Sequence, residues 1–290
     1  FIEEGAGIRA GFPDSAYSEA GAQTASATEM AGSLDIFVHV QPPTTEEVNA
    51  LKKGSIVVSL LNAHTNPSAV SSLASAGATA IAMELVPRIA RAQRMDVLSS
   101  QASIAGYKAA LLAANSLGKY LPMMMTAAGT IPPAKILVLG AGVAGLQAIA
   151  TARRLGAVVE AFDVRAAAGE QVESLGATFI QPEAAEDAEG AGGYAKEQSE
   201  DQQAAQREFL KEHIAKSDAV ITTAAIPGRP APLLMTEDMV AVMQPGSVVI
   251  DLAAESGGNV AGTVAGEVID VNGVAIHGPE NVPSSMPYDA

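Results

Sequence analysis

Residues 135–165 read KILVLGAGVAGLQAIATARRLGAVVEAFDVR, and the rest of the chain is best read outward from them. Ile136 to Leu139 form a short apolar, β-leaning run. Gly140, Gly142 and Gly145 follow in G-x-G-x-x-G spacing. Val143, Leu146, Ala150 and Leu155 then fall near helical spacing up to Gly156, and Ala157 to Phe162 is a second strand-like run that ends at Asp163. Strand, glycine turn, helix, strand and acid is the order a dinucleotide-binding βαβ unit requires. Gly140 permits the tight turn, Gly142 lets the backbone approach a pyrophosphate, and Gly145 lets the helix pack close to the strand. The helix N-terminus offers free N–H groups and a positive dipole end to the phosphates. Asp163 lies 18 residues after Gly145, where a carboxylate accepts hydrogen bonds from an adenosine ribose. Such a carboxylate repels a 2′-phosphate and so favours NAD over NADP. Arg165 works against that preference, because arginine accommodates a 2′-phosphate.

Composition bounds the alternatives. A chain of 290 residues has room for two domains with proper cores. With 48% hydrophobic but only 4% aromatic residues, those cores must be built from Ala, Val, Ile, Leu and Met. The formal net charge of −15 argues against nucleic acid as a partner, since phosphate backbones need a basic face. There is no cysteine, hence no disulfide and no thiolate nucleophile. His39, His64, His213 and His277 are scattered without metal-ligand spacing. No signal peptide or membrane-spanning stretch is visible, and a chain opening at Phe1 reads as a piece of a longer protein.

Before the central stretch, strands and helices alternate. Asp14 to Ala22 reads as a helix, Asp35 to Val40 as a strand, and Thr44-Thr45-Glu46-Glu47 as a capped helix start. Strands at Ser55 to Leu61 and Ala78 to Met83 flank a helix beginning at Asn66-Pro67. A polar segment, 88–107, leads into a long helix, and 123–135 reads as a Met- and Gly-containing loop closed by two prolines. After Asp163 the alternation resumes, interrupted over 182–206 by a polar stretch that reads as a long mobile loop. The expected fold class is α/β: two Rossmann-like, doubly wound parallel-sheet domains joined by a long helix. Residues 1–107 form the N-terminal domain, to which 268–290 returns. Residues 120–267 form the nucleotide-binding domain, and the linking helix covers about 97–119.

Several separate motifs then carry a resemblance. RIARAQRMDVLSSQ, MMTAAGTIPPAKILVLGAGVAGLQAIATARRLGA, DVRAAAGEQVESLGA, GGYAKE and DLAAESGGN together resemble the NAD(H)-binding component of proton-translocating nicotinamide nucleotide transhydrogenase. The resemblance implies a soluble homodimeric module on the cytoplasmic or matrix side, peripheral to an energy-transducing membrane. It would pass hydride to NADP(H) held by a partner component, while a membrane-spanning component couples the transfer to proton movement. Arg88, Gln93, Asp96 and Ser99 match the family's RxxxxQxxDxxS loop. That match assigns Arg88, Gln93 and Asp96 to positioning the nicotinamide rather than to acid–base work, with Ser99 beside them. The same resemblance gives cofactor contacts to Thr126, Gly140, Gly142, Val143, Ala144, Gly145, Asp163, Val164, Arg165, Thr223, Ala224 and Glu255. Tyr194, with Ala195, matches the tip of a loop that closes over the nucleotide. No metal is implied.

Two other functions stay open at this point. Alanine dehydrogenase shares the fold but needs a lysine and a histidine near its keto acid, and those positions fall at Gln41 and Asn62; a shift of two positions would bring His64 to the second, but the lysine would still be missing. Glutamine cannot act as a cationic clamp, nor asparagine as a general acid near neutral pH. A non-catalytic NAD-binding module would share the fingerprint too. The polar Arg88–Ser99 segment argues against it, because a carboxamide needs mixed polar partners.

Overall fold

The computed structural model describes residues 1–182, 200–226 and 228–290. Two compact units emerge, Phe1–Ser100 with Met286–Ala290, and Gln101–Ser285.

In the first unit, β1 (Ile2–Glu3) and β2 (Thr24–Ala25) make a small parallel pair that encloses α1 (Asp14–Glu19) in sequence. After α2 (Ala27–Ala31) come β3 (Ile36–Val38), α3 (Thr45–Ala50), β4 (Ile56–Ser59), α4 (Pro67–Ser75) and β5 (Thr79–Ala82). The three strands β3-β4-β5 lie parallel in chain order. Phe37 and Val57 point to the buried side, where Val48, Leu51, Leu61 and Leu73 complete a small core. Helix starts are written locally. The Thr44 hydroxyl accepts from the Glu47 N–H at 3.3 Å while the Glu47 carboxylate accepts from the Thr44 N–H at 2.7 Å. Ser26 and Glu29 repeat this reciprocal capping at α2, and Asn66 caps α4 ahead of Pro67.

The helix α5 (Val97–Ser116) starts in the first unit and belongs to the second from Gln101 onward. The expected loop around 123–135 is instead a hairpin, β6 (Met124–Thr126) antiparallel to β7 (Gly129–Ile131). There follow β8 (Lys135–Leu139), α6 (Val143–Arg154), β9 (Val158–Phe162), α7 (Ala168–Ser174) and β10 (Thr178–Phe179). Beyond them come α8 (Glu200–Ile214), β11 (Ala219–Thr222), α9 (Glu237–Val240), β12 (Val248–Asp251), β13 (Val268–Val271) and β14 (Val274–His277). The seven-stranded sheet has the order β10-β9-β8-β11-β12-β14-β13, parallel except for β13. Strand order reverses between β8 and β11, the place where doubly wound sheets open a ligand crevice.

Both faces of this sheet are covered, and the strands show it by strict alternation. Ile136, Val138, Ile221 and Ile250 pack with Ala109, Ala110 and Ala113 of α5 and Ala148, Ile149 and Ala152 of α6. Leu137, Leu139, Val220 and Val249 pack with Leu210 and Ile214 of α8 and Met239 and Val240 of α9. Alanine-lined helix faces let backbones come close. A Cβ on Gly106 of α5 would stand 2.0 Å from the Ala144 carbonyl oxygen, so that glycine is required by contact with the start of α6.

One expectation is corrected. Residues 268–285 do not return to the N-terminal domain. β14 pairs parallel with β12, and β13 folds back on β14 through Asn272-Gly273, both at positive φ. Val274 and Ile276 alternate into the same apolar layer as Val249, which fixes the register. Met286–Ala290 does group with the first unit, where Tyr288 stacks on Phe12 at 5.9 Å. No helix among the described residues is long and apolar enough to cross a membrane.

Replacing Thr44 by Ala removes one half of the α3 capping box. Urea unfolding of Thr44→Ala is expected to show a loss of about 1 kcal/mol; an unchanged midpoint would mean that α3 starts without its cap.

Candidate functional site

The glycine turn lies where strand order reverses, between the C-terminal ends of β8 and β11. Its glycines are not equivalent. Gly140 has φ +102°, and a Cβ there would lie 2.5 Å from the Thr223 hydroxyl. A Cβ on Gly145 would lie 1.8 Å from the Gly140 carbonyl oxygen, so α6 can sit on the turn only without a side chain at that position. Gly142 is different: a Cβ there would meet open space. Internal packing therefore does not require that glycine, which fits the role of admitting a ligand's pyrophosphate close to the backbone. Gly142 is also the N-cap of the twelve-residue α6, and no side chain caps the helix start beside Val143 and Ala144. The Thr223 hydroxyl donates to the Gly140 carbonyl at 3.1 Å and ties the end of β11 to the turn.

Asp163 closes the unit from the far end of β9. Its Oδ2 accepts from the Ala141 N–H at 2.7 Å and from Arg165 Nη2 at 2.8 Å, and its Oδ1 accepts from Arg165 N and Nε at 2.9 Å each. Burial alone would push this carboxyl up. Hydrogen bonds from the Arg165 side chain and backbone, the Ala141 N–H and the Arg165 charge outweigh it and hold Asp163 below the usual carboxylate range. Arg165 thus acts on Asp163 directly, a role that sequence reasoning left open. Val164 between them packs against the core.

Around the β11 and β12 ends the structure adds two residues that sequence reasoning did not single out as site residues. Asn259, fully buried, donates to the Ala224 and Pro232 carbonyls at 2.8 Å and accepts from the Ala224 N–H at 3.0 Å. Asp251, also fully buried, accepts from Thr222, Ala253, Asn259, Val260 and Thr263. The clue in the sequence was the Gly257-Gly258 pair, both at positive φ, which turns the chain back after β12. Glu255 accepts from the Asn281 N–H at 3.1 Å. Thr126 spends its hydroxyl on closing the β6–β7 hairpin, donating to the Gly129 carbonyl at 3.0 Å. Tyr194 and Ala195 lie outside the described residues.

In the first unit, Arg88, Asp96 and Ser99 form one knot. Asp96 caps α5, accepting from the Ser99 N–H at 2.9 Å and from its hydroxyl at 2.8 Å. Arg88 Nη2 donates to the Ser99 hydroxyl at 3.2 Å, and its Nε lies 3.5 Å from the Asp96 carboxylate. The Ser99 N–H is the largest influence on Asp96; with the Ser99 hydroxyl and Arg88 it lowers the carboxyl against the opposing effect of burial. Gln93 is exposed on the short 3₁₀ stretch Ala90–Met95 just before this cap. The Gln41 carbonyl lies 2.7 Å from His39 Nδ1, and Asn62 adopts φ +52°. The N–H groups on either side of Asn62, from Leu61 and Ala63, both donate to Glu84. Among the described residues no cluster of His, Cys, Asp or Glu could hold a metal ion.

The depressed Asp163 sets a pH dependence. Its contribution to stability is complete above the ordinary carboxylate range and is lost as pH falls through its lowered value. Asp163→Asn is expected to lower stability at neutral pH and to flatten the acid limb of the stability profile; an acid limb as steep as that of the unmodified protein contradicts this.

Comparison with known proteins gives a consistent result. Residues 1–105 match the family described as alanine dehydrogenase/PNT, N-terminal domain, and 109–290 the corresponding C-terminal domain. The chain is 52% identical over its full length to a Rhodospirillum rubrum protein named as the first portion of NAD(P) transhydrogenase subunit alpha, covering 77% of that protein. It is 47% identical to NAD(P) transhydrogenase subunit alpha of Cereibacter sphaeroides, covering 56% of it. The crystal structure of a transhydrogenase from Sinorhizobium meliloti superposes with a TM-score of 0.88 at 50% identity, over 99% of this chain and 79% of that one. An L-alanine dehydrogenase superposes with a TM-score of 0.82 at 28% identity, over 100% of this chain and 76% of that one. With the glycine turn, its acid and both domains accounted for, the chain belongs to the alanine dehydrogenase/PNT family, with its high-identity relatives among the NAD(P) transhydrogenase alpha subunits.

Proposed function

We propose that this chain is the NAD(H)-binding component of a proton-translocating transhydrogenase. One observation carries the reading: the glycine turn at the strand-order reversal, with Asp163 at the end of the next strand, in a chain 52% identical to a transhydrogenase alpha subunit. NAD(H), when bound, supplies the chemistry of hydride transfer to or from NADP(H) held by a partner component.

The chain's own residues bind, orient and shield. Gly142, Val143 and Ala144 present backbone N–H groups to the pyrophosphate at the start of α6. Asp163 takes the adenosine ribose, for which Arg165 must release part of its hold on the carboxylate. Val164, Thr223, Ala224, Glu255 and Thr126 line the cofactor's remaining length, and the resemblance assigns Tyr194 and Ala195 to cofactor contact as well. Arg88, Asp96 and Ser99 fix the carboxamide, and Gln93 reaches toward the second nucleotide. Hydride transfer requires no protein acid or base, so approach geometry and exclusion of water are the protein's contributions. The acting form is a homodimer on the cytoplasmic or matrix face of a membrane, with proton movement in a separate membrane-spanning component.

The alanine dehydrogenase reading has the weaker support. Gln41 and Asn62 stand where a cationic clamp and a proton donor are needed, and two relatives of that name are 27% and 28% identical.

The test is hydride transfer from NADH to NADP⁺ with and without an NADP(H)-binding transhydrogenase component. Rapid transfer with the partner and little without it is expected. Gln93→Asn should slow transfer about tenfold or more while changing the NADH dissociation constant less than about twofold. Equal loss of both would remove Gln93 from the positioning role. Turnover of pyruvate with ammonium and NADH would instead favour the dehydrogenase.

A further inference from the structure

The nucleotide cleft of the second unit is bounded on one side by the glycine turn and on the other by the segment that follows β11. The first wall is held by contacts that the fingerprint itself anticipates. The second has no fingerprint, yet a buried side chain holds it. Ala224 has its N–H and its carbonyl both engaged by one side chain, the carboxamide of Asn259, at 3.0 and 2.8 Å. This reciprocal pair imitates one rung of a β-ladder, made by a side chain instead of a strand. The second amide hydrogen of Asn259 reaches the Pro232 carbonyl at 2.8 Å, and its main-chain carbonyl accepts from Leu234 and Met235. One residue therefore gathers both ends of the connection from β11 to α9.

Asn259 is itself fixed from below. Its N–H donates to Asp251 Oδ2 at 2.8 Å. The Asp251 carboxyl also accepts from the Thr222 hydroxyl at 2.9 Å, and Thr222 is the last residue of β11. The path Thr222–Asp251–Asn259–Ala224 runs through hydrogen bonds and is closed by the main chain through Thr223. Thr223 in turn holds the Gly140 carbonyl at 3.1 Å. Asp251 and Asn259 are fully buried, so a broken bond cannot be replaced by bulk water without opening the core.

We propose that Asn259 is a positioning residue for the nicotinamide half of the dinucleotide, with Asp251 setting its orientation; this rests on the NAD(H) reading above. Asn259 fixes both main-chain polar groups of Ala224, the second residue beyond β11. With the N–H and the carbonyl of Ala224 both engaged, that residue offers the ligand its methyl group and a fixed surface. In a doubly wound sheet each half takes one mononucleotide, and the half begun by β8 and β9 carries Asp163 for the adenosine. The half begun by β11 and β12 is left for the nicotinamide, and it is this half that Asn259 organises.

The experiment compares two ligands on the intact protein by equilibrium titration, well below the unfolding temperature. NADH engages both halves of the cleft and ADP only the first. Asn259→Asp keeps the shape but removes both amide donors, leaving the Ala224 and Pro232 carbonyls unpartnered. Its NADH dissociation constant is expected to rise about tenfold while that for ADP changes less than about twofold. Equal losses for the two ligands, or unchanged binding of both with only a lowered unfolding temperature, would overturn the proposal and leave Asn259 a structural residue. If Asn259→Asp does not fold, Asn259→Gln, which keeps the amide but displaces it by one methylene, carries the same comparison and the same criteria. Unmodified protein that binds neither ligand would overturn the NAD(H) reading and this inference with it. Unmodified protein that binds both, beside variants that lose neither, would overturn the inference alone.

Discussion

The second unit depends on a contact that exists only because a side chain is missing. α6 rests on the turn after β8 so closely that a single methyl group at Gly145 would stand 1.8 Å from the Gly140 carbonyl oxygen. No adjustment of a flexible side chain relieves that overlap, since the opposing atom is backbone. α5 makes the same kind of approach to α6 through Gly106. Together these glycines bring helix starts and strand ends to backbone distance, and everything the cleft presents follows from it. The α6 N-terminus stands at the crevice, the Ala141 N–H reaches Asp163, and Thr223 reaches Gly140. Alanines on the α5 and α6 faces continue this close packing into the core, which explains how a chain with so few aromatic residues still fills its interior.

Polar groups are then used to hold geometry rather than to perform chemistry. Asp163, Asp251 and Asp96 each accept several donors, and each sits at the end of a strand or the start of a helix. Such carboxyls cross-link the main chain where elements end or begin. This suits a protein whose proposed task is to deliver one nicotinamide to another. In that proposal the reacting atoms belong to the cofactors, and the protein would control distance, angle and water.

What the sequence revealed was what is local in the chain. The fingerprint, Asp163, the Thr44 helix cap and the Asn66-Pro67 helix start all lie within a few residues of their partners or at a fixed spacing, and each appears where the spacing puts it. What escaped was non-local. The amide of Asn259 meets Ala224 across 35 positions, and no periodicity announces such a pairing. The placement of 268–285 depends on β14 finding β12, although Asn272-Gly273 is by itself a hairpin signal. The β6–β7 hairpin is hidden because a Met-rich run with a glycine resembles a loop as much as two short strands. Arg165 is ambiguous in principle: one arginine beside an acid can serve a phosphate or the acid, and the folded chain places its guanidinium on Asp163.

The central claim is that this chain positions a nicotinamide for direct transfer to a second one. The most direct measurement is the fate of deuterium carried at the transferring position of NADH, in a single turnover with the NADP(H)-binding component present. The account predicts that the label appears in NADPH without loss to solvent. Label released to water would show that a group other than the two nicotinamides carries the hydrogen, and would contradict it.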